Sequence, residues 1–312
     1  MTPAPLASEA LRGLAKRDEP LARYTSWRCG GRAERMYVPA DRADLAAFVA
    51  QLPADEPVTP VGLGSNLLVR DGGVRGTVIV LHAALSVLEM REGLIYAEAG
   101  VASPKVARFA ALHGRADAEF LAGIPGTVGG ALAMNAGCYG GETWRYVASV
   151  EALERDGRFV RLLPSDFRIG YRTVRRADTA AASTLYTAAW FAFPPGDVEH
   201  ARSRIKQLLE KRIATQPLEL PNAGSVFRNP PGDHAARLIE SCGLKGYAVG
   251  GASVSTKHAN FIVNPGGRGS AADVEAVIVH VRETVKRETS VDLLPEVEII
   301  GERAPGAGGA HE

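Results

Sequence analysis

The sequence predicts a protein of the α+β class, in which three units follow one another along the chain. Up to about residue 82, short apolar strands alternate with helical periodicity, as in βα-type units. Strands with short polar connections then dominate as far as residue 193, which favours antiparallel pairing. From about residue 197, helices return among shorter elements. With 312 residues, the chain is long enough for two or three domains.

The first unit follows residues 1–20, which we expect to form a solvated arm or a short helix. Residues 34–39 are typical of a strand. Asp41 is placed to cap a helix whose apolar positions are Leu45, Phe48, Val49 and Leu52. Two more strands are predicted at 58–61 and 77–81, on either side of a glycine-containing segment.

The elements of the second and third units are predicted from the same signals. In the second unit, a strand at 94–100 precedes a helix that Ser103 and Pro104 open and Gly114 ends. Its later strands are expected at 147–153, 158–162 and 184–193. The third unit is expected to contain helices at 197–213 and 235–242, a loop at 219–233, a strand at 258–264, a helix capped by Ser270 and a last strand at 296–300.

Charge and composition exclude several classes of protein. The formal net charge is +1 and no block of like charge occurs, so we expect neither a nucleic-acid partner nor a membrane surface. The N-terminal residues lack the basic and apolar regions of a signal peptide, and no apolar run is long enough to span a membrane. The three cysteines lie far apart, which argues against disulfides and zinc. We therefore expect a cytoplasmic, monomeric protein without a metal site.

Asparagine is rare, and its six copies all lie in segments that contain glycine or proline. These asparagines either make specific side-chain hydrogen bonds or simply reflect the preference of asparagine for turns. The sequence leaves both interpretations open. The six residues are Asn66, Asn135, Asn222, Asn229, Asn260 and Asn264.

The first glycine-rich segment is GLGSNL at 62–67. Residues without a Cβ allow the backbone to approach a pyrophosphate, and serine and asparagine can donate to its oxygens. A nicotinamide-binding Rossmann motif is disfavoured, because Leu67 stands where the third glycine belongs and the following residues resemble strand and turn. A tight turn without a ligand is the simpler alternative.

The second segment, GIPGTVGGALAMNAG at 123–137, is again dense in glycine and offers Thr127 and Asn135 as polar side chains. A packing hairpin would explain this segment alone. Two such loops in different units instead favour one extended diphosphate ligand held between them, and a dinucleotide such as FAD has the required length.

Three more segments carry polar residues in similar settings: Arg172 within GYR, Ser225 within NAGS, and Glu296 within PEV. Taken singly, a surface cation, a turn-forming serine and a solvated carboxylate are the ordinary interpretations. No nucleophile elbow and no zinc-binding histidine pair occurs, so hydrolase and metalloenzyme chemistry lacks its usual residues.

In combination these segments resemble the UDP-N-acetylenolpyruvoylglucosamine reductase family, from about residue 25 to residue 302. The motifs that carry the resemblance occur in order, and together they are highly specific: TSWRCGG, GLGSNLLV, GIPGTVGGALAMNAG, GYR, KRIATQP, NAGSVFRNP, STKHANFIVN and PEVEIIG. The stretch 173–221 is short, so the chain is similar to the branch that lacks the extra substrate-covering loop.

The resemblance implies a two-lobed FAD-binding fold of the vanillyl-alcohol-oxidase/PCMH type and a C-terminal α/β substrate-binding domain. The expected division is lobe 1 at 1–82, with a strand of 291–312 returning to it, lobe 2 at 83–214 and the substrate domain at 215–290. The implied activity is NADPH-dependent reduction of UDP-N-acetylglucosamine enolpyruvate to UDP-N-acetylmuramate through FAD, in peptidoglycan precursor synthesis.

The resemblance also implies roles for individual residues. Arg172 matches the residue that stabilises the intermediate, Ser225 the proton donor and Glu296 their acidic partner. Tyr139, Tyr171, Asn229 and Lys257 match substrate contacts. The FAD contacts are expected at Gly62, Gly64, Ser65, Asn66, Leu67, Gly123, Ile124, Pro125, Gly126, Thr127, Gly129, Gly130, Asn135, Ala136, Gly137 and Arg212.

Two residues depart from the family pattern. Leu63 stands where a small or polar residue is usual, and Glu298 stands where a basic residue often follows PEV. Two alternative functions also stay open at this point: an FAD-dependent oxidase of a hydroxy acid or sugar, and a non-catalytic nucleotide-sugar binding protein.

Overall fold

The computed structural model describes residues 11–82, 84–178 and 184–304. These residues form the helices α1 (Arg42–Ala50), α2 (Ser103–Leu112), α3 (Val128–Ala133), α4 (Val198–Thr215), α5 (Ala235–Ser241) and α6 (Ala271–Thr289). The strands are β1 (Leu14–Pro20), β2 (Arg32–Val38), β3 (Val58–Val61), β4 (Leu67–Val69), β5 (Val74–Val80), β6 (Leu88–Arg91), β7 (Leu94–Glu98), β8 (Gly137–Cys138), β9 (Gly141–Glu142), β10 (Val147–Leu153), β11 (Phe159–Leu162), β12 (Phe167–Gly170), β13 (Thr173–Arg176), β14 (Tyr186–Phe191), β15 (Ala248–Val249), β16 (Ala252–Val254), β17 (Ile262–Val263) and β18 (Glu298–Ile300). The predicted α+β class is confirmed.

The first sheet has the strand order β1-β2-β5-β3, with β2, β5 and β3 parallel. The prediction of an arm or short helix for residues 1–20 is wrong for the part described, because β1 pairs antiparallel with β2. Its sequence, LAKRDEP, has no apolar alternation, since an edge strand needs no buried face and is held by backbone pairing. Residues 1–10 lie outside the described residues.

The second sheet is antiparallel throughout, as predicted, with the order β11-β10-β14-β7-β6. Helices α2, α3 and α4 contribute to the core beside it, where Val106, Leu132 and Ile205 belong to the same cluster as Phe191 of β14. A second cluster joins Leu45 of α1 to this unit. The first two units therefore share buried apolar surface.

The glycine-rich segment 123–137, expected to be a loop, contains helix α3. Thr127 caps the helix by accepting from Gly130 N. The N–H groups of Val128 and Gly129 donate to the carbonyls of Val101 and Ala99, at 2.8 Å each. Glycine weakens a helix, so this one is held by contacts outside the segment that the local sequence does not reveal.

The third unit packs α5 and α6 around the small sheet β15-β16-β17. The strands predicted at 258–264 and 296–300 are shorter than expected, and the second of them, β18, pairs in parallel with β4 of the first unit. Capping of α6 by Ser270 is confirmed, with a reciprocal bond from Ser270 N to Asp273. Within the described ranges, no helix is both long and apolar enough to cross a membrane.

A buried junction fixes the third unit to the N-terminal motif TSWRCGG. Trp27 Nε1 donates to the carbonyl of Ile262 at 2.8 Å, and Asn264 Nδ2 donates to the carbonyl of Trp27 at 2.9 Å. Asn264 also exchanges two bonds with the backbone of Gly269. Its side chain is 0% exposed, so each of these partners depends on it.

We expect Asn264→Ala to lower the free energy of unfolding by about 3 kcal/mol, because it leaves several buried polar groups without partners. Urea denaturation followed by tryptophan fluorescence measures the loss. Asn229→Ala is the control, since Asn229 is exposed and its side chain, among the described residues, accepts only from Ala235 N. One such hydrogen bond is worth about 1 kcal/mol. Equal losses in the two variants would contradict the interpretation.

Candidate active site

The loop GLGSNL forms an open turn between β3 and β4. Gly64 has a φ of +60°, and a Cβ at this position would lie 1.9 Å from the carbonyl oxygen of Tyr24. Glycine is therefore required here. No oxygen of the described residues accepts a hydrogen bond from the backbone N–H groups of residues 62–66. Successive free N–H groups of this kind form a site that suits an anion.

The second glycine-rich segment packs directly against this loop. A Cβ on Gly62 would lie 2.4 Å from Thr127 Oγ1, and a Cβ on Gly126 would lie 3.2 Å from Ser65 Oγ. The structure thus brings together the two segments that the sequence analysis linked through one extended ligand. Their close approach depends on the missing side chains at these positions.

Arg172 lies in the two-residue turn of the β12–β13 hairpin, with a φ of +53°. Its Nε donates to Glu296 Oε1 at 2.8 Å. Nη1 and Nη2 donate to the carbonyls of Asn135 and Gly137, at 3.2 and 2.7 Å. The side chains of Arg172 and Glu296 are only 14% and 11% exposed, so Arg172 is fixed in place and is not a free surface cation.

Glu296 is positioned by two other segments. Its N–H donates to the carbonyl of Val226 at 2.7 Å, and Asn66 Nδ2 donates to its carbonyl at 3.1 Å. Burial raises the pKa of Glu296, while the neighbouring guanidinium groups of Arg172 and Arg228 oppose that rise. Four distant parts of the chain therefore meet at Glu296: the loop 62–66 and the segment 222–229 at its backbone, the hairpin turn at its carboxylate, and the residues before β18, to which it belongs.

Ser225 directly precedes Val226, so it lies one residue from the backbone that holds Glu296. Its side chain is half-buried, and its hydroxyl makes no hydrogen bond within the described ranges. The segment itself is rigidly held, because Asn260 exchanges side-chain bonds of 2.9 and 2.8 Å with the backbone of Phe227. A hydroxyl on a fixed backbone with no protein partner is available to a ligand.

Asn135, a predicted FAD contact, has its side chain fully used within the protein. Nδ2 donates to Glu142 Oε2 at 3.0 Å and to the carbonyl of Gly170 at 3.2 Å, and Oδ1 accepts from Trp144 N. Asn135 thus fixes the hairpin that carries Arg172. Sequence reasoning missed Glu142, whose only signal is its place in GGETW beside the glycine-rich segment.

Three predicted residues meet at helix α4. Tyr139 donates its hydroxyl to the carbonyl of Leu208 at 2.9 Å, and Lys257 donates Nζ to the carbonyl of Ile213 at 2.7 Å. Arg212 donates Nε to Gln216 at 2.9 Å, and burial lowers its pKa and raises that of Tyr139. In this state the polar atoms of Tyr139 and Lys257 therefore hold α4.

The remaining predicted site residues include both exposed and buried side chains. Tyr171 is 46% exposed, next to Arg172 in the hairpin turn, and Asn229 is also exposed. Leu67 is the first residue of β4 and pairs with Glu298. The other predicted FAD contacts lie within the second glycine-rich segment, where Ile124 and Ala136 are buried. Gly123 and Pro125 precede α3, and Gly129 and Gly130 belong to its first turn.

Arg228 is a second residue that the sequence analysis did not single out, although it lies in the motif NAGSVFRNP beside Ser225. Alternation along an extended segment could have indicated that it shares a face with Val226. Within the part of the chain that the structure describes, no group of three histidine, cysteine or acidic side chains is arranged to hold a metal ion.

Two family models match the chain. One, described as an FAD binding domain, matches residues 33–163. The other, described as the C-terminal domain of UDP-N-acetylenolpyruvoylglucosamine reductase, matches residues 216–300. The predicted FAD-binding fold with an added C-terminal domain is confirmed by these matches, and FAD is confirmed as the cofactor of the family.

Curated relatives and a solved structure agree with the two matches. The chain is 57% identical to the UDP-N-acetylenolpyruvoylglucosamine reductase of Nitrosospira multiformis, over 93% of this chain and 90% of the relative. It is 54% identical to that of Thiobacillus denitrificans, over 94% of each. The crystal structure of the reductase from Thermus caldophilus superposes with a TM-score of 0.77 at 32% identity, over 92% of this chain and 98% of that one. The chain belongs to the UDP-N-acetylenolpyruvoylglucosamine reductase family.

Proposed function

We propose that this chain uses NADPH and FAD to reduce UDP-N-acetylglucosamine enolpyruvate to UDP-N-acetylmuramate, with Arg172, Ser225 and Glu296 as its catalytic residues. The observation that carries the proposal is the guanidinium of Arg172, which three acceptors fix against Glu296. The backbone of Glu296 in turn bonds to Val226, next to Ser225, and to Asn66 of the loop 62–66. The names of the relatives support the reaction, and the geometry supports the assignment of roles.

The residues present fit FAD. The free N–H groups of residues 62–66 suit the pyrophosphate, and the Gly62–Thr127 and Gly126–Ser65 contacts keep side chains away from the same turn. Gly123–Gly137 and Arg212 would complete the site. When bound, FAD would supply the hydride that the enolpyruvyl group needs at its terminal carbon, with NADPH as the source of reducing equivalents.

Arg172 is suited to stabilise the negative charge that this reaction creates on the substrate. Hydride addition to the terminal carbon leaves negative charge on the α-carbon, and that charge spreads into the substrate carboxylate. A planar guanidinium with several donors in a fixed orientation stabilises such a carboxylate better than a mobile ammonium does. Because Asn135 and Gly137 hold its Nη atoms, the guanidinium needs little reorganisation when the charge develops.

Ser225 would give its hydroxyl proton to the α-carbon. A serine is a weak acid, but a carbanion-like centre is basic enough to take its proton when both are held in contact. The absence of a protein partner for this hydroxyl in the described ranges, and the hold of Asn260 on the next residues, support this role.

Glu296 would act by orienting Arg172, since its Oε1 accepts from Arg172 Nε. An ionised carboxylate accepts this bond, whereas a neutral one would lose its attraction to the guanidinium. The bond from Arg172 therefore favours a role in which Glu296 is ionised and orients the guanidinium, over one in which Glu296 donates a proton.

The remaining assignments belong to the same proposal. The UDP-sugar would be contacted by Tyr139, Tyr171, Asn229 and Lys257. Tyr139 and Lys257 now donate to backbone carbonyls of α4, so they would have to break these bonds to donate to substrate oxygens. Lobe 1 would comprise 1–82 with a strand from 291–312, lobe 2 83–214, and the substrate domain 215–290. We propose that the protein acts as a cytoplasmic monomer without a nucleic-acid partner.

Anaerobic titration of the purified protein tests the proposal. NADPH should bleach the flavin absorbance, and UDP-N-acetylglucosamine enolpyruvate should restore it with one equivalent. Rapid reoxidation by air with indifference to the UDP-sugar would instead indicate an oxidase. A colourless protein that binds the UDP-sugar would indicate a non-catalytic binding protein.

Gly62→Ala should reduce the flavin content of the purified protein severalfold, because the new Cβ lies 2.4 Å from Thr127 Oγ1 and pushes the two loops apart. Absorbance at the flavin maximum, relative to protein, measures the loss. Gly93→Ala is the control, since no atom of the described residues beyond its two chain neighbours lies within 4 Å of the new Cβ, although its φ of +78° strains the backbone. Full flavin content in Gly62→Ala would contradict the assignment of this contact to the cofactor site.

A further inference from the structure

The segment 226–228 runs antiparallel to residues 294–296. Arg228 N donates to the carbonyl of Leu294 at 2.9 Å, and Glu296 N donates to the carbonyl of Val226 at 2.7 Å. These bonds flank the directly opposed pair Phe227 and Pro295. Side chains alternate along such a pairing, so Arg228 and Glu296 lie on the same face, diagonally across from each other.

The polar atoms on this face are incompletely paired. Arg228 Nε is buried and has no hydrogen-bond partner, and no carboxylate of the described residues lies within ion-pair distance of its guanidinium. Glu296 uses Oε1 for Arg172, and its Oε2 accepts from no described residue. A buried donor without a partner is costly, so its presence on the same face as an unsatisfied carboxylate oxygen calls for an explanation.

We propose that Arg228 is a positioning residue for Glu296: its cation keeps this buried carboxyl ionised, and the ionised carboxyl keeps the guanidinium of Arg172 oriented toward the substrate. The proposal rests on the role of Glu296 given under Proposed function and extends it to a residue outside that set.

The charges acting on Glu296 support this role. Burial raises the pKa of Glu296, and the two charged groups that oppose the rise are Arg172 from the hairpin and Arg228 from the segment 222–229. The loop 62–66 contributes only the neutral Asn66, which binds the Glu296 carbonyl. When the substrate binds, Arg172 interacts with the substrate carboxylate as well as with Glu296. Arg228 then remains as the cation that stabilises only the charge of Glu296.

The sign of the pH effect follows from this arrangement. Removal of a nearby cation raises the pKa of a carboxyl. If the ionised form of Glu296 is needed, activity is lost as pH falls through that pKa. The acid limb of the pH profile should therefore move to higher pH when Arg228 is neutralised.

The experiment compares pH profiles of flavin reoxidation by UDP-N-acetylglucosamine enolpyruvate in Arg228→Met, Arg228→Lys and wild-type holoenzyme. We expect the acid limb to move up by about half to one pH unit in Arg228→Met, and to return toward the wild-type position in Arg228→Lys. Arg42→Met is the matched control, because Arg42 is also half-buried with an unpartnered Nε but pairs with Glu151 on the second sheet. Its acid limb should not move.

Each outcome decides the proposal. An unmoved acid limb in Arg228→Met, or a profile that extends to higher pH, would overturn it, and the second result would indicate that the neutral carboxyl is the active form. If Arg228→Met does not fold, Arg228→Gln and Arg228→Lys give the same comparison between neutral and charged side chains. Glu296→Gln separates this proposal from the proposed function: wild-type activity in that variant would remove Glu296 from the reaction altogether.

Discussion

Ser225→Ala should slow reoxidation of the reduced flavin by UDP-N-acetylglucosamine enolpyruvate about 10²–10⁴-fold, which is the range of general acid catalysis. Reduction of the flavin by NADPH should be unchanged, because the proton that Ser225 supplies is needed only after hydride reaches the substrate. The structure favours a local effect, since the hydroxyl makes no hydrogen bond in the described ranges and its loss leaves no partner unsatisfied. Stopped-flow absorbance under anaerobic conditions resolves the two half-reactions.

Ser241→Ala is the control for this substitution, because Ser241 Oγ donates to the carbonyl of Leu238 at the end of α5. Both half-reactions should be unaffected in that variant. In Ser225→Cys, a thiol of ordinary acidity replaces the hydroxyl, and part of the lost rate should return. Wild-type reoxidation in Ser225→Ala would remove Ser225 from the role of proton donor.

Elements with strong local signals were predicted well from the sequence. Asp41 caps α1 by accepting from Asp44 N, and Ser270 and Asp273 form a reciprocal cap on α6. In both cases the residues that decide the structure lie within one helical turn of each other. The antiparallel character of the second sheet also followed from its short polar connections.

Elements stabilised by distant contacts were predicted poorly. Strand β1 is polar and exposed, and its pairing with β2 has no local signature. Helix α3 consists largely of glycine and alanine, and backbone carbonyls of Val101 and Ala99 hold its first turn. Tertiary contacts override local propensity at both places.

The asparagine residues resolve an alternative that the sequence left open. All six make side-chain hydrogen bonds with backbone groups: Asn66, Asn135, Asn222, Asn229, Asn260 and Asn264. For Asn222, which bonds Leu220 and Gly224 two residues away, turn preference is sufficient. Several of these bonds join segments far apart in sequence, such as Asn66 with Glu296 and Asn264 with Trp27. A simple preference for turns does not explain such contacts.

The candidate site could be assembled from sequence only through the family resemblance. Taken alone, Arg172 and Glu296 fit a surface cation and a solvated carboxylate, and 124 positions separate them. Their pairing depends on the hairpin turn, on Asn135 and on the return of the chain to β4. Alternation within NAGSVFRNP could place Arg228 on the face of Val226, but its importance depends on Glu296, whose pairing with this segment the sequence does not show.

Arg172→Lys should slow flavin reoxidation by the enolpyruvyl substrate about 10²–10³-fold, although the positive charge is kept. The guanidinium has three roles that an ammonium cannot fill together: it donates to Glu296, to the carbonyl of Asn135 and to that of Gly137. A lysine would retain at most part of this set, and its flexible chain would not hold a donor toward the substrate carboxylate. Reduction by NADPH should be unaffected.

Arg175→Lys on the same hairpin is the matched control for this prediction, because Arg175 is exposed and lies opposite Arg168 in the strand pairing, outside the turn that carries Arg172. It should change neither half-reaction. If Arg172→Lys reoxidised at the wild-type rate, positive charge alone would suffice and the fixed orientation would be irrelevant. If instead both half-reactions slowed together, the substitution would have disturbed the flavin site through Asn135 and Gly137. Slow reoxidation with normal reduction is therefore the one result that requires an oriented guanidinium at the substrate.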